Sequence, residues 1–230
     1  MIFRGLLCWK QNPFAVIFWH MHCSVSHDQL KCIGFMEPVK LEINQSNSRS
    51  LYASFNRAYK TDCVYHHEVL REITSQADVR VVAECGVYQG WSTALFMTCD
   101  IDSLYSYEVD FQHVAPLILA FMQAKGDISW SLNSHNTIAD PIAAADLVFL
   151  DTVHTYEFVQ QEIALQAPHA AKYIAVHDAN YPKEPTPKKV RDAVTEYANN
   201  SNGVWKIDLD SSHGTGIIVL KRQQLLGCLE

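Results

Sequence analysis

Two apolar runs that do not alternate constrain this chain more than any other feature. Asp146–Leu147–Val148–Phe149–Leu150 runs straight into Asp151 and then His154, and Tyr173–Ile174–Ala175–Val176 runs into His177 and Asp178. A strand with one face in water alternates apolar and polar residues. A strand apolar at successive positions is covered on both faces, the condition of strands inside parallel sheets. In an open parallel sheet the ligand crevice lies beyond the carboxyl ends of the strands. Asp151, His154, His177 and Asp178 are therefore expected on one rim, where a reaction is run.

The rest of the chain from about Thr61 supports such a sheet. Thr61 or Asp62 is placed to cap a helix carrying Val69, Leu70 and Ile73 on one side. Strands follow at Val79–Cys85, Leu104–Val109, Ile128–Leu132, Asp146–Leu150 and Tyr173–Val176, and the last two at Val204–Leu209 and Gly216–Leu220 are joined by a hairpin turn at Asp210–Gly214. Between them, helices are expected from Ser92 through Met97, along Phe111, Val114, Leu117, Ile118, Phe121 and Met122, and along Phe158, Val159, Glu162, Ile163 and Leu165. A further one carries Val190, Ala193, Val194 and Tyr197, capped by Thr186 with Pro187 at its first position. Alternating strands and helices predict a doubly wound α/β fold. Its sheet is mostly parallel and seven-stranded, with an antiparallel C-terminal hairpin.

Composition narrows the class. The 230 residues are 48% hydrophobic and 19% charged with a formal charge of −7, so the chain is globular and its net charge repels nucleic acid. Seven cysteines, an odd number with no CxxC pair, fit reduced thiols in a cytoplasmic protein. His20, His22 and Cys23 have no matching second half that would make a zinc site. The run Phe14–Trp19 is too short to span a bilayer, so no membrane partner is expected. Residues 1–55 read as an N-terminal extension and 56–230 as one domain.

The first strand ends Glu84–Cys85–Gly86–Val87–Tyr88–Gln89–Gly90–Trp91–Ser92. Gly86 and Gly90 allow a tight turn and close approach of a ligand. The spacing is GxxxG, whereas a dinucleotide fingerprint needs GxGxxG and a P-loop ends in GK[ST]. A carboxylate at Glu84 suits an amine-bearing ligand better than a pyrophosphate. An ordinary strand-to-helix turn has the same look, and the second strand tips the balance. It ends at Glu108, 22 residues after Gly86, where an acid can accept both hydroxyls of a ribose. A nucleoside with an amine and no pyrophosphate describes S-adenosylmethionine.

Glu84–Gly86–Gly90–Ser92, Glu108, the segment Asp151–Thr152–Val153–His154–Thr155–Tyr156–Glu157 and the segment Lys172–Asp178 together resemble class I S-adenosylmethionine-dependent methyltransferases. The closer resemblance is to the branch with a strand-end DxxHxYE and a later HD, and it covers about Thr61 to Arg222. The resemblance implies a Rossmann-like fold. It implies that Glu84, Gly86 and Gly90 line the methionine part of the cofactor, with Tyr88 and Ser92 in the same turn. Glu108 would hold the ribose, Asn133 or Ser134 would lie near the adenine, and Asp151 and His154 would face the methyl group. Tyr88 stands where many members carry a third glycine, so its ring either covers the cofactor or narrows the pocket.

A hydroxyl acceptor needs a base, and a histidine with a pKa near ~6.5 suits neutral pH. His154 is the candidate, with Asp151 three residues before it. His177 and Asp178 either orient His154 or bind substrate. A second version is similar to magnesium-dependent relatives and places Mg2+ on Asp151 and Asp178, although His177 suits magnesium less well than a third carboxylate. The expected reaction is O-methylation of a small molecule or sugar hydroxyl; the alternatives are a non-catalytic cofactor-binding module of the same fold and a nicotinamide dehydrogenase, which the GxxxG spacing disfavours. A homodimer is compatible with this reading.

Overall fold

The structure, a computed structural model, describes residues 63–114, 128–180 and 188–224. The N-terminal extension, the Thr61 or Asp62 cap, and Leu117 to Met122 of the helix expected from Phe111 lie outside them. Among the described residues no helix is long and apolar enough to cross a membrane.

The elements are α1 (Cys63–Thr74), β1 (Val81–Cys85), α2 (Trp91–Phe96), β2 (Ser103–Glu108), β3 (Ser129–Ser134), β4 (Ala145–Leu150), α3 (Tyr156–Gln166), β5 (Ala170–His177), α4 (Val190–Asn200), β6 (Trp205–Ser211) and β7 (Ile217–Arg222). They build one seven-stranded sheet in the order β3-β2-β1-β4-β5-β7-β6. The strands from β3 to β5 pair in parallel, and β7 pairs antiparallel with both β5 and β6. The expected architecture is thus the observed one.

The side chains of β4 explain why its sequence does not alternate. Leu147 and Phe149 enter one core with Leu70, Ile73, Leu95, Phe96 and Leu104. Val148 and Leu150 enter the other with Val159, Ile163, Val190, Val194 and Ile218. Both faces are covered, so each position must be apolar, and full burial of each such side chain stabilises by roughly 1.5–3 kcal/mol. Cys85 and Cys99 are buried free thiols within these cores.

Three local expectations are corrected. The helix expected from Phe111 begins as a single 3-10 turn, Phe111–His113, capped by the Asp110 carboxylate accepting from the Gln112 amide at 2.9 Å, with Phe111 exposed. Next, α4 starts at Val190 rather than at Pro187. Its first turn is closed by Lys189, whose amide donates to the Asp192 carboxylate at 2.7 Å, and the expected Thr186 and Pro187 lie outside the described residues. Finally, β6 continues through Ser211, which moves the hairpin turn two residues later, to a tip where Gly214 (φ 59°) and Gly216 (φ 86°) take up the positive φ.

Sheet order decides where a ligand goes. From β1 the chain builds outward through β2 to β3, then returns to β4 on the other side of β1. That reversal opens a crevice above the carboxyl ends of β1 and β4.

Candidate functional site

The crevice has a volume of about 850 Å³ and is floored by the strand ends and walled by α1. Its two halves are built from different residues, and Asp151 stands between them.

The first half begins at Gly86, which has φ +89° and donates its amide to the Tyr107 carbonyl at 2.9 Å. A Cβ at this position would overlap the backbone carbonyl of Asp151. Only glycine lets β1 turn here while β4 passes alongside. Tyr88 also has a positive φ, 46°, and its ring lies 57% exposed at the crevice mouth, 5.5 Å from the His113 ring. Gly90 (φ 85°) precedes α2, a helix of 6 residues, and stands outside the lining.

Glu108 faces the crevice and fastens its floor. One carboxylate oxygen accepts from the amides of Val87 (3.0 Å) and Tyr88 (2.9 Å), the other from those of Val109 (2.8 Å) and Asp110 (3.0 Å). It thereby ties the glycine turn to the end of β2.

Glu84 has a different position from the expected one. It is fully buried, accepts hydroxyl hydrogen bonds from Ser92 (2.5 Å), Thr93 (2.7 Å) and Ser106 (2.6 Å), and does not line the crevice. Glu84 is the penultimate residue of β1, and three hydroxyls hold its carboxylate inside the protein. Burial pushes its pKa up to about 7, against the three hydrogen bonds. Ser92 lines the crevice, but its hydroxyl donates to Glu84.

Asn133 and Ser134 also stand outside the lining, which is formed instead by His135, Asn136, Thr137 and Ile138. The Asn133 amide donates to the Ser106 carbonyl (3.3 Å) and the Ser131 hydroxyl (3.1 Å). Since β3 ends at Ser134, the residues just past it reach the crevice. This loop is held from below. Glu162 on α3 accepts from the hydroxyl of Thr137 and, at 2.7 Å, from that of Thr152 in the loop after β4. Gln166 accepts from the Ile142 amide at 3.0 Å. Burial raises the Glu162 pKa to about 7.

The second half is a cluster of acids and imidazoles. Asp151, His154, His177 and Asp178 do share one rim and all line the crevice. His154 lies between two carboxylates: its Nε2 is 3.2 Å from Asp151 Oδ1 and its Nδ1 is 2.8 Å from Asp178 Oδ2. Burial lowers its pKa, but the hydrogen bonds to Asp151 and Asp178 outweigh this and raise it to about 9. The expectation of a base near ~6.5 is corrected: His154 is a cation at neutral pH. Burial works to raise the Asp151 pKa, yet the positive charge of His177 and hydrogen bonds from His154 and His177 hold it well below the usual carboxylate range. Asp178 is likewise lowered against burial by His154 and His177. Its backbone is left-handed (φ 55°), which turns it out of the line of β5.

His177 is joined to His154 through the carboxylates they share. Its Nδ1 is 3.0 Å from Asp151 Oδ1 and 3.1 Å from Asp178 Oδ1, and its Nε2 is 2.6 Å from Nδ1 of His66. His66 Nε2 donates to the His213 carbonyl at 3.0 Å. Burial and the neighbouring His177 lower the His67 pKa to about 4, so His67 is neutral. His66 is not among the residues expected at the site from the sequence, yet it lines the crevice. The signal was present: His66, Leu70 and Ile73 recur at the spacing of one helix face, which puts an imidazole on the buried stripe of α1.

Asp151, His177 and Asp178 together offer three donor atoms within 4.8 Å of one another. Magnesium takes oxygen ligands, so two carboxylates and one imidazole fit it incompletely.

No known family profile and no curated protein sequence matches the chain. Solved structures do match it in fold. A magnesium protoporphyrin IX methyltransferase from Synechocystis with bound SAM is 15% identical, with 69% of this chain and 80% of that one covered and a TM-score of 0.53. For a putative caffeoyl-CoA O-methyltransferase from Staphylococcus aureus the figures are 12%, 76%, 91% and 0.56. For an O-methyltransferase from Bacillus cereus in complex with SAH they are 10%, 85%, 96% and 0.51. The chain has the class I methyltransferase fold.

Proposed function

We propose that this protein is an S-adenosylmethionine-dependent methyltransferase acting on a hydroxyl of a small molecule or sugar. The observation that carries the reading is the division of one crevice into a glycine-turn half and an acid–imidazole half, which meet where Gly86 touches Asp151. A volume of about 850 Å³ lies within the range of small-molecule sites. Solved structures of the same fold carry SAM or SAH.

Gly86 and the residues after it would hold the methionine portion, Glu108 the ribose, and the loop His135–Ile138 the adenine. When bound, the sulfonium supplies an activated methyl group. The chain's own residues must then orient the acceptor hydroxyl and take its proton. His154 is the proton acceptor in this reading, in its neutral form. Asp151 and Asp178 fix its ring and stabilise the imidazolium that results.

The test is turnover. Purified full chain is incubated with S-adenosylmethionine and a panel of sugars and small hydroxyl compounds, with S-adenosylhomocysteine and methylated product followed by mass spectrometry. An O-methyl product lost in His154→Ala supports the reading. Methylation on nitrogen, or cofactor binding with no turnover across the panel, contradicts it, and the latter outcome favours a non-catalytic binding module.

A further inference from the structure

We infer that Glu162 is a positioning residue that couples the two walls of the crevice, so that the loop after β3 and the loop after β4 hold their places together. The inference deepens the methyl-transfer reading and rests on it only for what the walls hold, the adenine on one side and the acceptor on the other. The bridge itself stands on geometry.

Glu162 and Gln166 lie one turn apart on α3, and both are fully buried. A carboxylate and an amide inside a protein are costly unless their polar atoms are bonded. Here the bonds go to the crevice loops. One Glu162 oxygen accepts from the Thr137 hydroxyl and the other, at 2.7 Å, from the Thr152 hydroxyl. Gln166 accepts from the Ile142 amide at 3.0 Å and donates to the carbonyls of Thr137 at 2.5 Å and Asp140 at 2.9 Å. Residues 135–144 lie in no helix or strand, so the side chains of α3 supply a support that the sheet does not.

Thr152 is the matching point on the opposite wall. It follows Asp151 directly, and a Cβ on Gly86 would lie 3.2 Å from its α-carbon. The segment from Asp151 to Thr155 is held by β4 at one end and by the start of α3 at the other. Glu162 fastens it in between. Thr137 and Thr152 both line the crevice, whereas Glu162 does not. One side chain behind the walls thus sets the distance between Thr137 and the segment that carries Asp151 and His154. A misplacement of about 1 Å can cost ~100-fold in rate, which gives that distance a catalytic consequence. A hydroxyl donates to a carboxylate and accepts from a protonated carboxyl, so the bridge holds whether Glu162 is charged or neutral.

The experiment follows amide hydrogen exchange in the full chain at neutral pH, with an S-adenosylmethionine titration alongside. Thr→Val removes a hydroxyl and keeps the shape. Coupled walls predict a reciprocal result. Thr152→Val should speed exchange in residues 135–142, and Thr137→Val in residues 151–155, each by about fivefold or more, while β1 and β5 keep wild-type protection. Glu162→Gln can still bond both hydroxyls and should stay near wild type. Glu162→Asp, one carbon too short to reach both, should loosen both loops and weaken cofactor affinity by about fivefold or more. Threonine variants that each loosen only their own loop overturn the inference. So does faster exchange throughout β1 and β5, which marks Glu162 as a stability anchor alone, or a Glu162→Asp protein that binds cofactor as wild type does. If wild type binds no cofactor but the exchange is reciprocal, the methyl-transfer reading fails and the bridge stands.

Discussion

Gly86 and Asp151 are packed so closely that the α-carbon of the first faces the carbonyl oxygen of the second with no room for a methyl group. This contact joins the two halves of the crevice, and it explains why the turn after β1 needs glycine at its first position whatever ligand it holds.

Gly86→Ala should therefore damage both fold and site. A non-glycine residue at φ +89° carries strain of about 1–3 kcal/mol, and the overlap with Asp151 adds to it. Denaturant unfolding should show a loss of at least that size, and cofactor affinity should fall in whatever protein remains folded.

Glu108 should be decisive for the cofactor. Its carboxylate holds four backbone amides and lines the crevice beside the glycine turn. Glu108→Ala is expected to reduce S-adenosylmethionine affinity by about tenfold or more, as read by calorimetry. Glu108→Gln should lose less, since the amide keeps one acceptor oxygen.

The pH dependence follows from His154, whose pKa is raised to about 9. A base works in its neutral form, so turnover should climb with pH up to about 9 rather than level off near ~6.5. Stability should run the other way. The folded-state pKa lies above the unfolded one, so the stabilisation from the Asp151–His154–Asp178 arrangement is fully present below about 6.5 and is lost as pH rises through about 9. His154→Gln should flatten both profiles, which rate–pH curves and thermal unfolding at several pH values would show.

Glu162 makes a separate prediction. Its pKa is raised from 4.5 to about 7 by burial, so the folded state holds a proton that the unfolded state releases, and stability falls as pH rises from 4.5 through about 7. Glu162→Gln removes that penalty while still bonding Thr137 and Thr152. It should stabilise the protein at pH ~8, by on the order of 1–3 kcal/mol, relative to its effect at pH ~5. Glu162→Ala, which frees both loops, should destabilise at either pH.

The sheet was legible because burial on both faces leaves a mark in sequence: the apolar runs through Phe149 and Ile174 have no other explanation in a chain of this composition. The acid–imidazole rim was legible for the same reason, since polar residues that end buried strands have few places to go. The remainder of the site depended on side-chain direction. Glu84 turns inward to three hydroxyls, and strand spacing does not report which hydroxyls will face it. The loop His135–Ile138 reaches the crevice because β3 ends at Ser134, and a boundary error of one or two residues was enough to name Asn133 and Ser134 instead. His66 contacts His177 across 111 positions of sequence, a tertiary relation that local pattern does not encode. The pKa of His154 likewise depends on Asp178, brought to its side only when β5 pairs with β4.

The most direct test of the account is calorimetric titration of the intact chain with S-adenosylmethionine, repeated with Gly86→Ala. The account predicts saturable one-to-one binding with a dissociation constant of about 1 μM–1 mM, the usual range for such substrates, competition by S-adenosylhomocysteine, and a marked loss of affinity in the variant. Absence of saturable binding to folded wild-type protein would contradict it.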